Sequence, residues 1–483
     1  MQPNTLSKLA LLSGAALLSA CTTVGPNYRG APQAAPVSAT RGAFLRGDAA
    51  TPTTAPSTAA WWTALGDPVL DGLIDRAMAV SPDVAIANAR IAQARAGLAA
   101  NRTGLLPSFN VSGAVPYFNV PGGLFSSNGQ SGGRDAVTVY NVGFDSSWEI
   151  DLFGGTRRKI EAASARADAA EAGLADARVT LSAEIARAYV SLRARQAAAD
   201  VLTRQVVIDR DLVGLAQQRL TGGTAPEQPL DQARATLAQS EADLASTRAD
   251  ATVLADQLAV LTGQEPGALD SLLAQPGAVP LPPASVAVGD PALLLRSRPD
   301  IRNAERQLAA ANADIGVQIA NRFPKISFLG LLGLGGQNIG DIFDPSKIIG
   351  LAVPQIKWSL FDGGRTEAQI RNARGAYAES EARYRQTVLA ALQDAEGSLT
   401  RFGAARIGYA KAAEAQGESV RAAALQSQRA RAGTISRADA LAAERQTLQA
   451  RLGATTAQAN LTTGFIAVEK ALGLGWQASE AAK

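Results

Sequence analysis

Cys21 is the only thiol in a chain of 483 residues, and histidine is absent altogether. No intramolecular disulfide is therefore possible. Without imidazole the chain lacks the usual general base near neutral pH, and without a second cysteine it lacks the usual metal ligands. Carboxylates could do acid–base work, but no pair of them falls in a glycine-bounded, cleft-like context. The expectation is a protein that is not an enzyme, with no metal and no cofactor beyond a covalent group on Cys21.

That covalent group follows from what surrounds the thiol. Lys8, an apolar core from Leu9 to Leu18 and small residues before Cys21 read as a secretory signal over 1–20, too short for a membrane span. Leu18-Ser19-Ala20-Cys21 resembles the bacterial lipobox, in which the thiol carries diacylglycerol and becomes the first residue after cleavage. Thr22 stands where a retention signal for the inner membrane would place Asp. Several acyl chains such as palmitate anchor firmly, because each buried CH₂ contributes about 0.8 kcal/mol and a single chain is marginal.

The elements that must position any such end are long and helical. The chain is rich in alanine, with 47% hydrophobic but only 5% aromatic residues. Its formal charge of +3 falls to +2 once Lys8 leaves with the signal, with both signs interspersed, so no nucleic-acid footprint follows.

An internal repeat organises the chain. Ser81-Pro82-Asp83 opens an apolar-periodic stretch reaching Pro107, and Arg298-Pro299-Asp300 opens another reaching Pro324 with the same spacing. Each is preceded by an Asp-Pro, at Asp67-Pro68 and Asp290-Pro291. Ser81 suits an N-cap, Pro82 the first helical position, and Asp83 the positive helix end.

After each second proline the period switches to alternation, predicting strands over 107–118 and 136–150, then 324–335 and 348–361. Each pair forms a hairpin, with exposed tips at Pro121 to Arg134 and Gly335 to Lys347. Both blocks close on similar signatures, Trp148 to Gly155 and Trp358 to Gly364. Thirteen of the 24 aromatics lie within 107–153 and 323–361, as girdles at a bilayer interface would require.

Long helices follow both hairpins. No proline interrupts Arg157 to Leu220, and none follows Pro354. Ile160, Ala163, Ala167, Ala170, Leu174, Ala177, Leu181, Ile185, Ala188 and Leu192 make a coiled-coil seam. A helix of roughly 64 residues spans on the order of 100 Å, beyond any compact domain or bilayer. The helices turn at Arg219 to Thr224 and at Arg429 to Thr434 and return through 228–262 and 437–473. Four strands cannot close a membrane barrel, since a spanning sheet must leave no free edge and the smallest barrels use about eight strands. Three chains would supply twelve.

On these residues the chain resembles the TolC-like outer-membrane factor family, specifically the lipoprotein branch of resistance-nodulation-division efflux systems (NodT-like, OprM-like). The segments that carry the resemblance are Cys21 to Tyr28, Trp61-Trp62 before Leu65-Gly66-Asp67-Pro68, Leu293 to Arg302 with Ala309 to Ala313, and Lys470 to Trp476. It implies a mostly α fold with a membrane β part: long antiparallel helical hairpins and two β-hairpins per chain, trimerising to a 12-stranded β-barrel on a periplasmic α-barrel. The implied role is a passive export duct for small molecules such as drugs or toxic compounds, lipid-anchored in the bacterial outer membrane. Its implied partners are a second and third copy, a periplasmic adaptor, an inner-membrane pump and outer-membrane lipid.

The same resemblance places a periplasmic gate at Asp439, Arg431 and Arg445, and adaptor-contacting tips at Gly223, Thr224, Gly433 and Thr434. Three Asp439 carboxylates around a threefold axis would repel one another and attract cations. The sequence departs from the family at Ala430, where Tyr is common, and at Ala442, where a second Asp often sits. The first-half turn, Thr224 to Pro229, is about two residues longer than its counterpart. On Asp439 the plainer alternative is a helix cap.

The expected organisation is 1–20 signal, 21–66 lipidated extended segment, 67–280 first repeat with a helical hairpin over 155–262, 281–475 second repeat with one over 363–473, and 476–483 tail. Two other functions fit the same features: the outer-membrane component of type I protein secretion, and a lipid-tethered periplasmic coiled-coil scaffold without a pore.

Overall fold

The computed structural model describes residues 23–46, 60–121, 134–275, 277–286, 288 and 291–476. The signal segment with Cys21, residues 47–59, the first hairpin tip at 122–133, Asp290 and the tail beyond Trp476 lie outside the described residues.

The first half opens with a short 3-10 turn, Trp61–Leu65, and helix α1 (Pro68–Val80), whose N-cap Asp67 accepts hydrogen bonds from the backbone N–H of Val69 and Leu70. Helix α2 (Pro82–Thr103) begins after Ser81, whose hydroxyl accepts from the Asp83 N–H at 3.4 Å. Strands β1 (Ser108–Ala114), β2 (Tyr117–Pro121), β3 (Arg134–Thr138) and β4 (Tyr140–Ile150) follow. Helices α3 (Gly155–Thr221) and α4 (Gln228–Leu261) complete the half.

The second half repeats the order with α5 (Pro291–Ser297), α6 (Pro299–Ala320), β5 (Lys325–Gly336), β6 (Ile348–Lys357), α7 (Arg365–Arg431) and α8 (Arg437–Ala471). Helices α2 and α6 are each 22 residues long, and α3 and α7 are each 67. The duplication reaches the hydrogen-bond register. Ser108 pairs with Ser147, one residue after Pro107 and one before Trp148; Lys325 pairs with Lys357, one after Pro324 and one before Trp358.

Two compact units result, and they do not coincide with the two repeats. One comprises residues up to Pro32 with 91–169 and 304–383; the other comprises 33–90, 170–303 and 384–483. Each draws on both halves, because each half contributes strands to the first and helical hairpins to the second.

In the first unit β1, β4, β5 and β6 form one antiparallel sheet in that order, so the two hairpins lie side by side. The first hairpin continues past Ala114. Tyr117 pairs with Thr138 in the register set by Ser108 and Ser147, and the ladder breaks at Pro116, which has no N–H to give. Strand β6 ends at Lys357 rather than at 361, because its partner β5 begins at Lys325 and the residues before it form the turn that ends α6.

Side chains alternate between two faces: one carries Phe109, Val111, Val142, Phe144, Trp148, Phe328, Leu332, Ile348 and Ile356, and the other carries Asn110, Asn141, Asp145, Glu149, Lys325, Gln355 and Lys357, with a leucine-rich block on the second hairpin. Within the four-stranded sheet only Gly143 and Gly335 are buried. A soluble sheet would have one face packed on a core; here Val111 is 71% exposed and Ile356 72%. At its base the Trp148 indole donates to the Leu105 carbonyl, and the Trp358 indole donates to the Arg322 carbonyl, so the duplicated tryptophans are tethered alike.

An N-terminal strap fastens onto the same unit. The Arg158 guanidinium donates to the carbonyls of Val24 and Gly25 and to the Asn27 amide oxygen, while Asn312 donates to the Pro26 carbonyl. Gly25 has φ +93°, and a Cβ there would lie 2.5 Å from the Gly316 Cα, so the strap touches helix backbone directly.

The second unit holds the larger core. Trp61 meets Phe465 edge-on at 5.9 Å, and Leu70, Ile74, Leu181, Ile185, Leu399 and Ile466 are buried around them. The expected seam positions on α3 are all buried or half-buried, and from Val179 to Arg193 only Glu184 and Arg187 remain exposed. The Tyr189 hydroxyl donates to Asp67 at 2.7 Å and accepts from Arg193, tying α3 to the α1 cap. Burial and the Asp67 carboxylate push this phenol up to about 12.

The proline motifs have a structural role here. Arg298 grips Asp300 and donates to the Ala471 carbonyl at 2.6 Å, so the turn before α6 caps the end of α8. Gly473 packs on Arg298 and Pro299, as Gly263 packs on Val80 and Pro82 in the first half. Among the described residues no helix is long and apolar enough to cross a membrane.

Candidate functional site

Both helical hairpins turn the same way. The Thr224 N–H and hydroxyl reach the Arg219 carbonyl at 2.8 and 3.0 Å, and those of Thr434 reach the Arg429 carbonyl at 3.0 and 3.0 Å. Gly223 and Gly433 stand at the residue before, with φ of +65° and +74°, where a side chain would strain the backbone. A Cβ at either would meet nothing, so the tips are open surfaces. The sequence-expected tip residues Gly223, Thr224, Gly433 and Thr434 are therefore matched pairs with duplicated geometry.

Returning from the second tip, α8 starts on a capping box. The Ser436 hydroxyl accepts from the Asp439 N–H, and the Asp439 carboxylate accepts from the Ser436 N–H at 3.2 Å and its hydroxyl at 2.7 Å. Within one chain Asp439 therefore caps its own helix. Arg431 ends α7 exposed and lines a groove with Arg437, Leu441 and Glu444; among the described residues no ion pair joins it to Asp439.

Arg445 is differently placed. Its Nε lies 2.9 Å from Oδ1 of Asp209 on α3, a carboxylate whose side chain is 1% exposed. The contact is close but not aligned as a hydrogen bond, and both atoms otherwise lack a partner. The other carboxylate oxygen, Oδ2, accepts from the Ser240 hydroxyl of α4 at 2.6 Å, and Ser240 accepts from Gln205. One buried carboxylate thus joins three helices of the two hairpins. Closer to the tip, Arg437 reaches Asp211 on α3 at 3.2 Å between exposed side chains.

Asp209, Ser240, Gln205 and Asp211 were not legible as site residues. Each sits on a helix rich in charge, and nothing in its local spacing marks it. Only the register of α8 against α3 selects Asp209 for Arg445. The guanidinium end of the pair is 29% exposed, while the carboxylate end is buried. Beside it runs a groove lined by Leu212, Pro229, Gln232, Ala442 and Gln446.

A family model described as "Outer membrane efflux protein" matches residues 73–264 and 291–474, one block in each half. Nodulation protein T of Rhizobium leguminosarum bv. trifolii is 29% identical over 79% of each chain. The pyoverdine export outer membrane protein OpmQ of Pseudomonas aeruginosa is 29% identical over 98% of each chain. Among solved structures, the outer-membrane channel OprN is similar with a TM-score of 0.81 and 30% identity, over 94% of this chain and 100% of the other.

Proposed function

The chain belongs to the outer membrane efflux protein family, and from that premise we propose that it is the outer-membrane channel subunit of a tripartite efflux system, a passive duct for small molecules. The observation that carries this reading is the sheet. Among the described residues its edge strands β1 and β6 have no partner on their outer sides, neither face is packed on a core, and one face is apolar while the other carries the sheet's charged side chains. In water this leaves edges and apolar side chains exposed at a cost of about 1.5–3 kcal/mol for each large side chain. Three copies closing into twelve strands remove both costs, with the apolar face toward lipid and the polar face toward a lumen.

A tethered scaffold without a pore would leave both costs standing. The names of the relatives, among them a pyoverdine export protein, favour export through a pump over type I protein secretion. A periplasmic adaptor would seat on the tips at Gly223, Thr224, Gly433 and Thr434, and an inner-membrane pump of the resistance-nodulation-division class would supply the energy. Lipid on Cys21 would join the outer leaflet's periplasmic counterpart close to the sheet: Thr23 packs on Gly154 just after β4, and two residues reach no more than about 7 Å.

The gate would be held by Arg445 and Asp209, with Asp439 ringing the axis. Reconstituted in a planar bilayer, the wild type should conduct poorly, and Arg445→Ala should conduct several-fold better. Asp439→Ala should raise conductance as well; a closed-state conductance left unchanged removes Asp439 from the gate. A monomeric mass in detergent with no conductance under any condition would overturn the channel.

A further inference from the structure

The polar face of the sheet is not uniform. On the first hairpin it carries Ser108, Asn110, Ser112, Asn141, Asp145 and Ser147, with Asn110 donating to Asp145 and the Ser108 and Ser147 hydroxyls 2.9 Å apart. On the second hairpin the same face carries Leu329, Leu331, Ile349, Leu351 and Val353 in one block. Leu331 is directly opposite Leu351, and Leu329 is opposite Val353.

The identical registers make the two hairpins comparable position by position. Leu329 and Leu331 replace Ser112 and Ala114, and Leu351 and Val353 replace Asn141 and Gly143, at the same places on the same face. The fold therefore does not demand large apolar side chains there, since its own duplicate does without them. Among the described residues Leu351 is 52% exposed and Leu329 41%, with Leu331 and Val353 half-buried beside them.

Cations flank the block. Lys357 and Lys325 face each other on the same side, one face position beyond Gln355 and Ser327. Lys325 is engaged by Glu149 at 3.6 Å, whereas Lys357 has no ion-pair partner among the described residues. Along the strand Lys357 lies four residues from Val353, about 13 Å.

We propose that this stripe is a lumenal subsite for amphiphilic anions, with an apolar body lying on Leu329, Leu331, Leu351 and Val353 and an anionic head meeting Lys357. It deepens the channel reading and rests on it, because only a closed barrel makes this face a lumen. A solute with a neutral head gains the apolar contact alone, and a small hydrophilic ion gains neither. Threefold closure would alternate three such stripes with three polar ones.

The test uses the full-length protein in lipid nanodiscs with 11-(dansylamino)undecanoate, an amphiphilic anion whose emission rises in apolar surroundings, and empty nanodiscs as background. Saturable binding above background is expected. The double variant Leu331→Ser with Leu351→Ser should bind about tenfold or more weakly. Val353→Thr, nearly the same shape, should weaken binding by a smaller factor. Lys357→Gln should weaken it several-fold, and that loss should vanish with the uncharged amide of the probe. Emission equal to that of empty nanodiscs, or equal affinity in all variants, overturns the subsite. Cross-linked mass is read on every sample: a trimer with unaltered binding sinks the subsite alone, whereas a monomer sinks the channel reading.

Discussion

Glu469 lies in the core of the second unit with 6% of its surface exposed, and burial pushes its carboxyl up from the ordinary 4.5 to about 8. The folded chain therefore holds this proton over a window in which the unfolded chain has lost it. Between about pH 4.5 and 8 the native state binds more protons, so stability falls as pH rises through the window and levels off above it. Glu469→Gln should raise the thermal midpoint by a few degrees at pH 8 and change it little at pH 5, read by circular dichroism. Parallel pH profiles for the two proteins would show that Glu469 finds a compensating partner. Asp209 is the contrasting case, buried but paired. Arg445→Ala strands that carboxylate with only the Ser240 hydroxyl and should cost about 3 kcal/mol in chemical unfolding. Adding Asp209→Ala should return part of that loss, whereas a double variant as unstable as the summed singles would mean the two side chains do not interact.

The elements themselves were largely legible, because long periodic stretches and prolines leave few alternatives. Pro82 and Pro299 start two 22-residue helices, and uninterrupted runs after Gly155 and Arg365 give two 67-residue ones. What the sequence could not reveal was which residues meet across elements. The expected strand to 361 stops at Lys357 because its partner strand starts only at Lys325, and the expected strand over 107–118 is divided by Pro116, although the register runs on to Pro121. Arg445 was marked by position, but Asp209 becomes its partner only once α8 lies along α3. Arg298-Pro299-Asp300 reads as a helix start, and its second task, clamping the end of α8, needed the returning helix in place. That clamp predicts a steric result. Gly473 has φ +73°, and a Cβ there would lie 2.8 Å from the Arg298 side chain, so Gly473→Ala should destabilise by about 1–3 kcal/mol. Gly214, inside α3 with open space around it, should gain up to about 1 kcal/mol on the same change. Equal effects at the two sites in thermal melts would mean that the clamp is not tight.

At the scale of the assembled molecule, the internal repeat specifies how one copy should join the next. Within a chain β4 and β5 join the two hairpins with Trp148 opposite Phe328, the fourth residue after Pro324. Applying the same relation to β6 and the β1 of the next copy sets Trp358 opposite Val111, the fourth residue after Pro107. Ile356 then meets Gly113 on the apolar face, and Lys357 meets Ser112 on the polar one, so both faces continue across the seam. A slip of one residue would turn Trp358 into the lumen and is excluded by the period of the pleat. A slip of two would keep the faces and bring Lys357 opposite Asn110 instead. Oxidation of a chain carrying Lys357→Cys and Ser112→Cys should therefore give a covalent trimer on a denaturing gel, since directly opposed residues fall within disulfide reach. Lys357→Cys with Asn110→Cys should cross-link poorly. Stronger cross-linking of the second pair would move the seam by two residues, and cross-linking of neither would mean that β6 and β1 are not neighbours in the barrel.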